Sequence, residues 1–330
     1  MDIFNKNILV LFIAVLAISC SNDGKDDEYI KMQKFIVDLA SVETDADNED
    51  NEISVSRASD YGSGISADLK FEYLDTVGIF TKDGAQIPFP LPILPGSPQA
   101  SVAVSAQGWM TKYDESYVLY LPYNFYNRDS RKIPWDGRVT FQQSTNNNKL
   151  HVGKYWMCVS DTMVQRSTDG QFKKTLHMVG CIIRIRAKVI ANANYIRMML
   201  VTPGNTFFST HGYYDFFDMP TQPYTSLGQT DHVALNMAPS ARNASQYLTG
   251  FFYFPDAINM QNQTLGCYIW DENGNCYYGQ TVVTGTNGLW NRNSERSINI
   301  DSFTLVTSPT VKMNPWDDED LCPTCNPVAF

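Results

Sequence analysis

Apolar residues along most of this chain come in short alternating runs separated by turn residues, the pattern of strands with one face in a core and one in water. Leu69 and Phe71 alternate with Lys70 and Glu72, and Val77, Ile79 and Phe80 precede the turn residues Asp83 and Gly84. A run from Tyr117 through Val118, Leu119, Tyr120 and Leu121 is stopped by Pro122. Strands are predicted again over 155–159 and 172–189, where Ile183, Ile185 and Ala187 alternate with Arg184, Arg186 and Lys188. Further strands are expected over 196–201, 212–217, 232–237, 246–254, 265–270, 276–283 and 297–306. No stretch offers the ten or so residues of helical periodicity needed to cover a parallel sheet, so the expected class is all-β, built of antiparallel sandwiches.

Two stretches are expected to lie outside the sheets. Pro88, Pro90, Pro92, Pro95 and Pro98 exclude a central strand and predict a loop over 87–98. Residues 124–148, with Pro134, Gly137 and a run of asparagines, are expected to form a long polar connection. Asn273 and Gly274 are a favoured hairpin pair. A two-residue turn there would set Cys276 opposite Asp271, with Cys267 further along the ladder, so those two thiols would not bond.

The start of the chain has a different pattern. Ile8 to Ile18 is an unbroken apolar run behind Lys6, followed by Ser19, Cys20 and the polar Ser21, Asn22, Asp23 and Gly24. The run is short of the ~20 residues that span a bilayer and has the shape of a signal-peptide core, so it predicts export. A small residue followed directly by cysteine resembles a bacterial lipobox, with Ala17 where leucine is usual. That likeness implies a lipidated Cys20 as the first mature residue; a secreted protein cut near Ser19 is the other outcome. The polar, acidic residues 21–28 would tether a folded body to the membrane, and they resemble the surface-export signal of lipoproteins in the Bacteroides group.

Residues 29–42 are apolar again, and Phe35, Val37 and Leu39 alternate with Ile36 and Asp38, which favours a short strand over a helical face. Glu43, Asp45, Asp47, Glu49, Asp50 and Glu52 follow with no cation among them, as in an exposed linker. Arg57, before Ala58, is the sole arginine between the signal and the folded body. It is a candidate processing site on a segment a protease could enter, or else an ordinary surface arginine.

Composition narrows the function classes. A net charge of -10 argues against nucleic acid, whose phosphates demand a basic surface. Eighteen Tyr, eighteen Phe and six Trp beside 18% charged residues fit a β-rich extracellular protein. Seven cysteines leave Cys158, Cys181, Cys267, Cys276, Cys322 and Cys325 if Cys20 carries lipid, either in up to three disulfides of undetermined pairing or as buried apolar side chains. His151, His177, His211 and His232 stand singly, with no metal-binding spacing. Neither a nucleophile elbow nor a phosphate-cradling glycine loop is present, and a carboxylate pair for glycosidic cleavage leaves no local signature. Cys322 and Cys325 form a Cys-x-x-Cys motif within the last nine residues, with no helix to follow, which favours a structural or intermolecular disulfide over redox catalysis or zinc. No enzyme, metal or cofactor is expected.

Several short segments, in order, resemble the fimbrillin family, the type V pilins and related surface lipoproteins of Bacteroides and Porphyromonas. They are the lipobox at Cys20, the Arg57–Ala58 junction, Asp75-Thr76-Val77-Gly78-Ile79-Phe80, and Trp109 with Leu119-Tyr120-Leu121-Pro122-Tyr123. Leu176-His177 ahead of Ile183-Arg184-Ile185, Asn291-Arg292-Asn293 before Ile298-Asn299-Ile300, and Asn314-Pro315-Trp316 complete the set. The resemblance implies two tandem transthyretin-like antiparallel β-sandwich domains, over 58–170 and 171–312, after a signal peptide (1–20) and a pro-segment (21–57) and before a tail (313–330). It also implies assembly by strand exchange. An Arg-specific protease would cut after Arg57 and release a strand plugged by Phe35, Val37 and Leu39, and a strand of another pilin subunit, self or minor, would enter with plugs such as Val311 and Met313. The physics is β-augmentation, in which an open edge and apolar groove take up an incoming strand. The implied protein is an adhesive subunit of a fimbrium at the cell outer membrane, meeting host or bacterial surface glycan or protein. A permanently anchored glycan-binding lipoprotein, with Trp and Tyr stacking on sugars, is the alternative. The acidic tail 317–330 departs from the pattern as a poor strand.

Overall fold

A computed structural model describes residues 29–31, 34–40, 71, 75–81, 86–95, 101–105, 110–112, 116–123, 132–137, 141–142, 158–159, 163–164, 171–217 and 223–306. The chain is almost entirely β. Its first half contributes β1 (Tyr29–Lys31), β2 (Lys34–Leu39), β3 (Thr76–Thr81), β4 (Gln86–Pro90), β5 (Ser101–Ser105), β6 (Met110–Lys112), β7 (Ser116–Leu121), β8 (Ile133–Asp136), β9 (Phe141–Gln142), β10 (Cys158–Val159), β11 (Met163–Val164) and β12 (Gln171–Met178). The second half adds β13 (Cys181–Lys188), β14 (Ala193–Val201), β15 (Phe208–Tyr214), β16 (Tyr224–Thr230), β17 (His232–Arg242) and β18 (Tyr247–Phe254). It ends with β19 (Ile258–Asn259), β20 (Thr264–Asp271), β21 (Cys276–Val282), β22 (Leu289–Trp290), β23 (Ser294–Ile300) and β24 (Phe303–Val306). One 3-10 turn, Gly285–Gly288, is the only helical piece among the described residues.

Eight of the first-half strands form one sheet in the order β4-β3-β7-β10-β12-β2-β5, with β11 also on β7, while β1 pairs with β6. In the second half, β13 lies between β18, its antiparallel partner, and β23, its parallel one. This three-stranded sheet faces the sheet β24-β21-β20-β14-β17-β9 across a core of Ile183, Ile185, Met198, Leu200, Phe252, Phe254, Ile269 and Trp290. The other face of the three-stranded sheet carries Ile182, Phe251 and Tyr253 into a second cluster with Val37, Val77, Leu119, Trp135 and Leu176. One apolar cluster therefore joins the two halves.

Three local expectations change. Gln86–Pro90 is a strand, not a loop, and among the described residues it pairs only with β3. It forms the edge of its sheet, where the missing N–H groups of Pro88 and Pro90 cost no ladder bond. Within 124–148, β8 pairs with β15 and β9 with β17, both in the second half. Trp135 lies opposite Gly212 of β15 and reaches past it to set its ring edge-on against Tyr224 of β16 at 5.9 Å. The hairpin after β20 also differs. Gly274, at φ +82°, ends a three-residue connection closed by Asp271 and Asn275, so Cys276 stands opposite Trp270 rather than Asp271. The Asp271 carboxylate holds that connection by accepting from the N–H groups of Asn273 and Asn275, each at 2.9 Å.

The sheet pairing does not break at residue 170, because β12 belongs to the first sheet. The chain passes between sheets at Val179 and Gly180. A Cβ at Gly180 would collide with the Phe254 carbonyl oxygen and the Tyr253 phenol. Gly180→Ala is therefore expected to lower stability by about 1–3 kcal/mol, the range for forced overpacking, as a drop in the urea midpoint with unchanged slope.

Candidate functional site

The best-defined candidate site is the slot that holds β2. Lys34 to Leu39 lies parallel to β12, with Gln171↔Lys34 through Leu176↔Leu39 in register, and antiparallel to β5, with Lys34↔Ser105 through Asp38↔Ser101. The Ala40 N–H extends the ladder by donating to the Leu176 carbonyl at 2.9 Å. The β2–β12 pair is the sole parallel pairing described in this sheet. Neither neighbour of β2 is its hairpin partner, since β5 begins at residue 101 and β12 at 171. No short turn fixes its register, and the sheet pairs with it as it would with a separate strand.

Alternation decides what the slot holds. Val37 and Leu39 point into the core, Val37 fully buried and Leu39 nearly so, among the residues that cluster with Leu176, Val102 and Leu121. Asp38 points the other way, and its Oδ2 lies 3.2 Å from Lys173 Nζ. Lys173 is 68% exposed and Asp38 20%, so water screens the pair and it contributes under about 1 kcal/mol. Burying Val37 and Leu39 contributes about 1.5–3 kcal/mol each. Shape therefore holds the strand, and charge only trims the choice.

Of the site residues expected from sequence, the structure brings Val37 and Leu39 together on one face of β2. Phe35 occupies the β2 position opposite Phe172 and Val104. Cys20, Arg57, Ala58, Val311, Met313, Cys322 and Cys325 lie outside the described residues. The sequence reading missed the walls of the slot, β5 and β12, with Lys173 and Leu176 on β12. A signal existed in the alternation of Lys173 and Thr175 with Leu176 and Met178, but alternation does not say which strand lies alongside.

A second feature is the outer face of the six-stranded sheet. Tyr268 stacks on Trp270 at 5.8 Å and meets Tyr278 at 4.6 Å, while the Arg197 guanidinium lies 5.4 Å from the Trp270 ring centre. Gly266 lets Tyr278 lie flat on the sheet, since a Cβ there would strike the phenol. The Tyr278 hydroxyl donates to Gln280 Oε1 at 2.9 Å.

No three His, Cys, Asp or Glu among the described residues group as metal ligands, and no described helix is long and apolar enough to cross a membrane. Cys181, Cys267 and Cys276 are free, buried thiols. Burial pushes the first two well above the ordinary thiol range and Cys276 to about 11, the reverse of what a reactive cysteine needs. Cys267 joins the inner core and Cys276 the outer-face cluster, so the two point to opposite sides of the sheet.

No protein-family model and no curated protein matches the chain. Among solved structures, a candidate cell adhesion protein from Bacteroides uniformis aligns with a TM-score of 0.43 at 12% identity, covering 72% of this chain and 92% of its own. Another candidate cell adhesion protein, from Parabacteroides distasonis, gives a TM-score of 0.43 at 10% identity over 86% of this chain and 93% of its own. A fimbrial protein from Bacteroides ovatus gives 0.33 at 12% identity, over 82% of this chain and 49% of its own.

Proposed function

We propose that this chain is a non-enzymatic fimbrial subunit of the cell surface that assembles by exchange of β2. The observation that carries this is the position of β2. It precedes the acidic linker and Arg57 in sequence, it completes the first sheet in space, and no hairpin ties it there. In this account Cys20 is lipidated at the outer membrane, and residues 58–312 form two transthyretin-like sandwiches. An Arg-specific protease cuts after Arg57, and β2 leaves with its plugs Phe35, Val37 and Leu39. Its departure leaves β12 an open edge and takes from β5 its one described pairing. A strand from another subunit then fills the slot, and Val311 and Met313 of the C-terminal segment show the plug spacing that such a donor needs. Cys322 and Cys325 form a disulfide in the tail that follows. Adhesion to a surface glycan or protein is the role of the assembled fibre.

Arg57→Ala in cells is expected to keep residues 21–57 attached and to abolish polymers, read as loss of the high-mass ladder on unheated gels. Full polymer with that variant would refute proteolytic activation.

A second reading, a permanently anchored glycan-binding lipoprotein, is favoured by the half-buried Trp270 and Tyr278 rings beside the buried Tyr268, since sugar C–H faces stack on aromatic surfaces. It predicts that Trp270→Ala lowers polysaccharide retention at least tenfold in affinity electrophoresis. Equal retention of the variant and the parent would remove it.

A further inference from the structure

Which strand can replace β2 is written into the wall of its slot. On the exchange reading proposed above, the replacement needs apolar side chains two residues apart, as Val37 and Leu39 are, and the residue between them faces outward as Asp38 does. This chain's own tail offers Val311, Lys312 and Met313. If Val311 and Met313 take the places of residues 37 and 39, in either strand direction, Lys312 lands where Asp38 lies 3.2 Å from Lys173. If they take the places of residues 35 and 37, Lys312 lands at position 36, whose Cα partner is Lys173 itself. Each register sets one ammonium beside another.

We infer that Lys173 is a specificity residue of the β2 slot: it ranks a strand of another subunit that carries a carboxylate between two plugging residues above this chain's own tail. The inner face sets which strands fit, and Lys173 ranks those that do. Opposite-charge and like-charge pairs across neighbouring strands differ enough to change affinity about fivefold at low salt. The difference fades as salt rises, because Lys173 is largely exposed.

The test uses the full chain with an engineered cleavage site in the 43–52 linker. After cutting, the segment carrying β2 stays seated without a covalent link, and its labelled form is displaced by added peptides. The peptides are 29–42, the tail 305–316, and the tail with Lys312→Asp. The expected order is that the Lys312→Asp tail displaces β2 about fivefold better than the natural tail. That order reverses in the Lys173→Glu protein and disappears in 1 M salt. Equal displacement by the two tail peptides, or no reversal with Lys173→Glu, overturns the inference while leaving exchange itself intact. Exchange by the 29–42 peptide with neither tail peptide active also overturns it, because shape alone would then exclude the tail. Failure of the 29–42 peptide to exchange removes the proposed function as well.

Discussion

A chain that begins at Ala58 is expected to lose about 3–6 kcal/mol relative to the full chain, from the burial of Val37 and Leu39 alone at about 1.5–3 kcal/mol each. That is a large part of the about 5–15 kcal/mol by which a domain is stable. The loss is local in origin. Gln171 to Leu176 lose a ladder neighbour, β5 loses its described partner, and the cluster containing Leu176, Leu119 and Val77 opens to water. Hydrogen exchange should therefore accelerate first in β5 and β12, while β14, β20 and β21, which pair among themselves, keep their protection. Adding the 29–42 peptide in trans is expected to restore the slow rates. Unchanged exchange in β5 and β12 after removal of β2 would mean that the sheet does not need it.

Glu295→Ala is expected to cost about 3–5 kcal/mol, the penalty for leaving one charge of a buried pair behind. Glu295 Oε1 lies 3.4 Å from Arg184 Nε, with both side chains about 97% removed from solvent. The pair sits on β13 and β23, and on β13 it follows Ile182, which belongs to the cluster joining the two halves. Arg184→Met combined with Glu295→Leu should recover most of the loss, because the desolvation cost disappears with both charges. The exposed pair supplies the contrast, since Lys173→Ala should lower stability by under about 1 kcal/mol in urea unfolding. A Glu295→Ala effect as small as that of Lys173→Ala would show that the Arg184 charge is stabilised elsewhere.

Alternation made the β class legible, and it placed β13 well because Ile183, Ile185 and Ala187 face one core. It also marked Val37 and Leu39 as one face of a strand. It could not say that the strand would lie parallel to β12, far along the chain from it, because alternation is local and strand pairing is not. The same limit hid β8, whose four residues Ile133, Pro134, Trp135 and Asp136 are too few to show a period beside the polar residues around them. Prolines misled at β4 for a different reason. Pro88 and Pro90 do forbid a central strand, yet an edge strand asks for bonds on one side only. At the β20–β21 turn, Asn273-Gly274 signalled a hairpin correctly, but the side chain of Asp271 captured the backbone and lengthened the connection by one residue. Arg184 read as a wet residue by its place in the alternation and is buried, because the face it occupies is covered by the first half of the chain.

Removal of β2 is the step on which the proposed assembly depends. It is tested most directly by the intact mass and N-terminus of the protein recovered in polymer from the native cell surface. An N-terminus at Ala58 is expected, with residues 20–57 and hence β2 absent from the polymer. A lipidated Cys20 with the acidic linker and β2 still attached to the polymerised chain would contradict it.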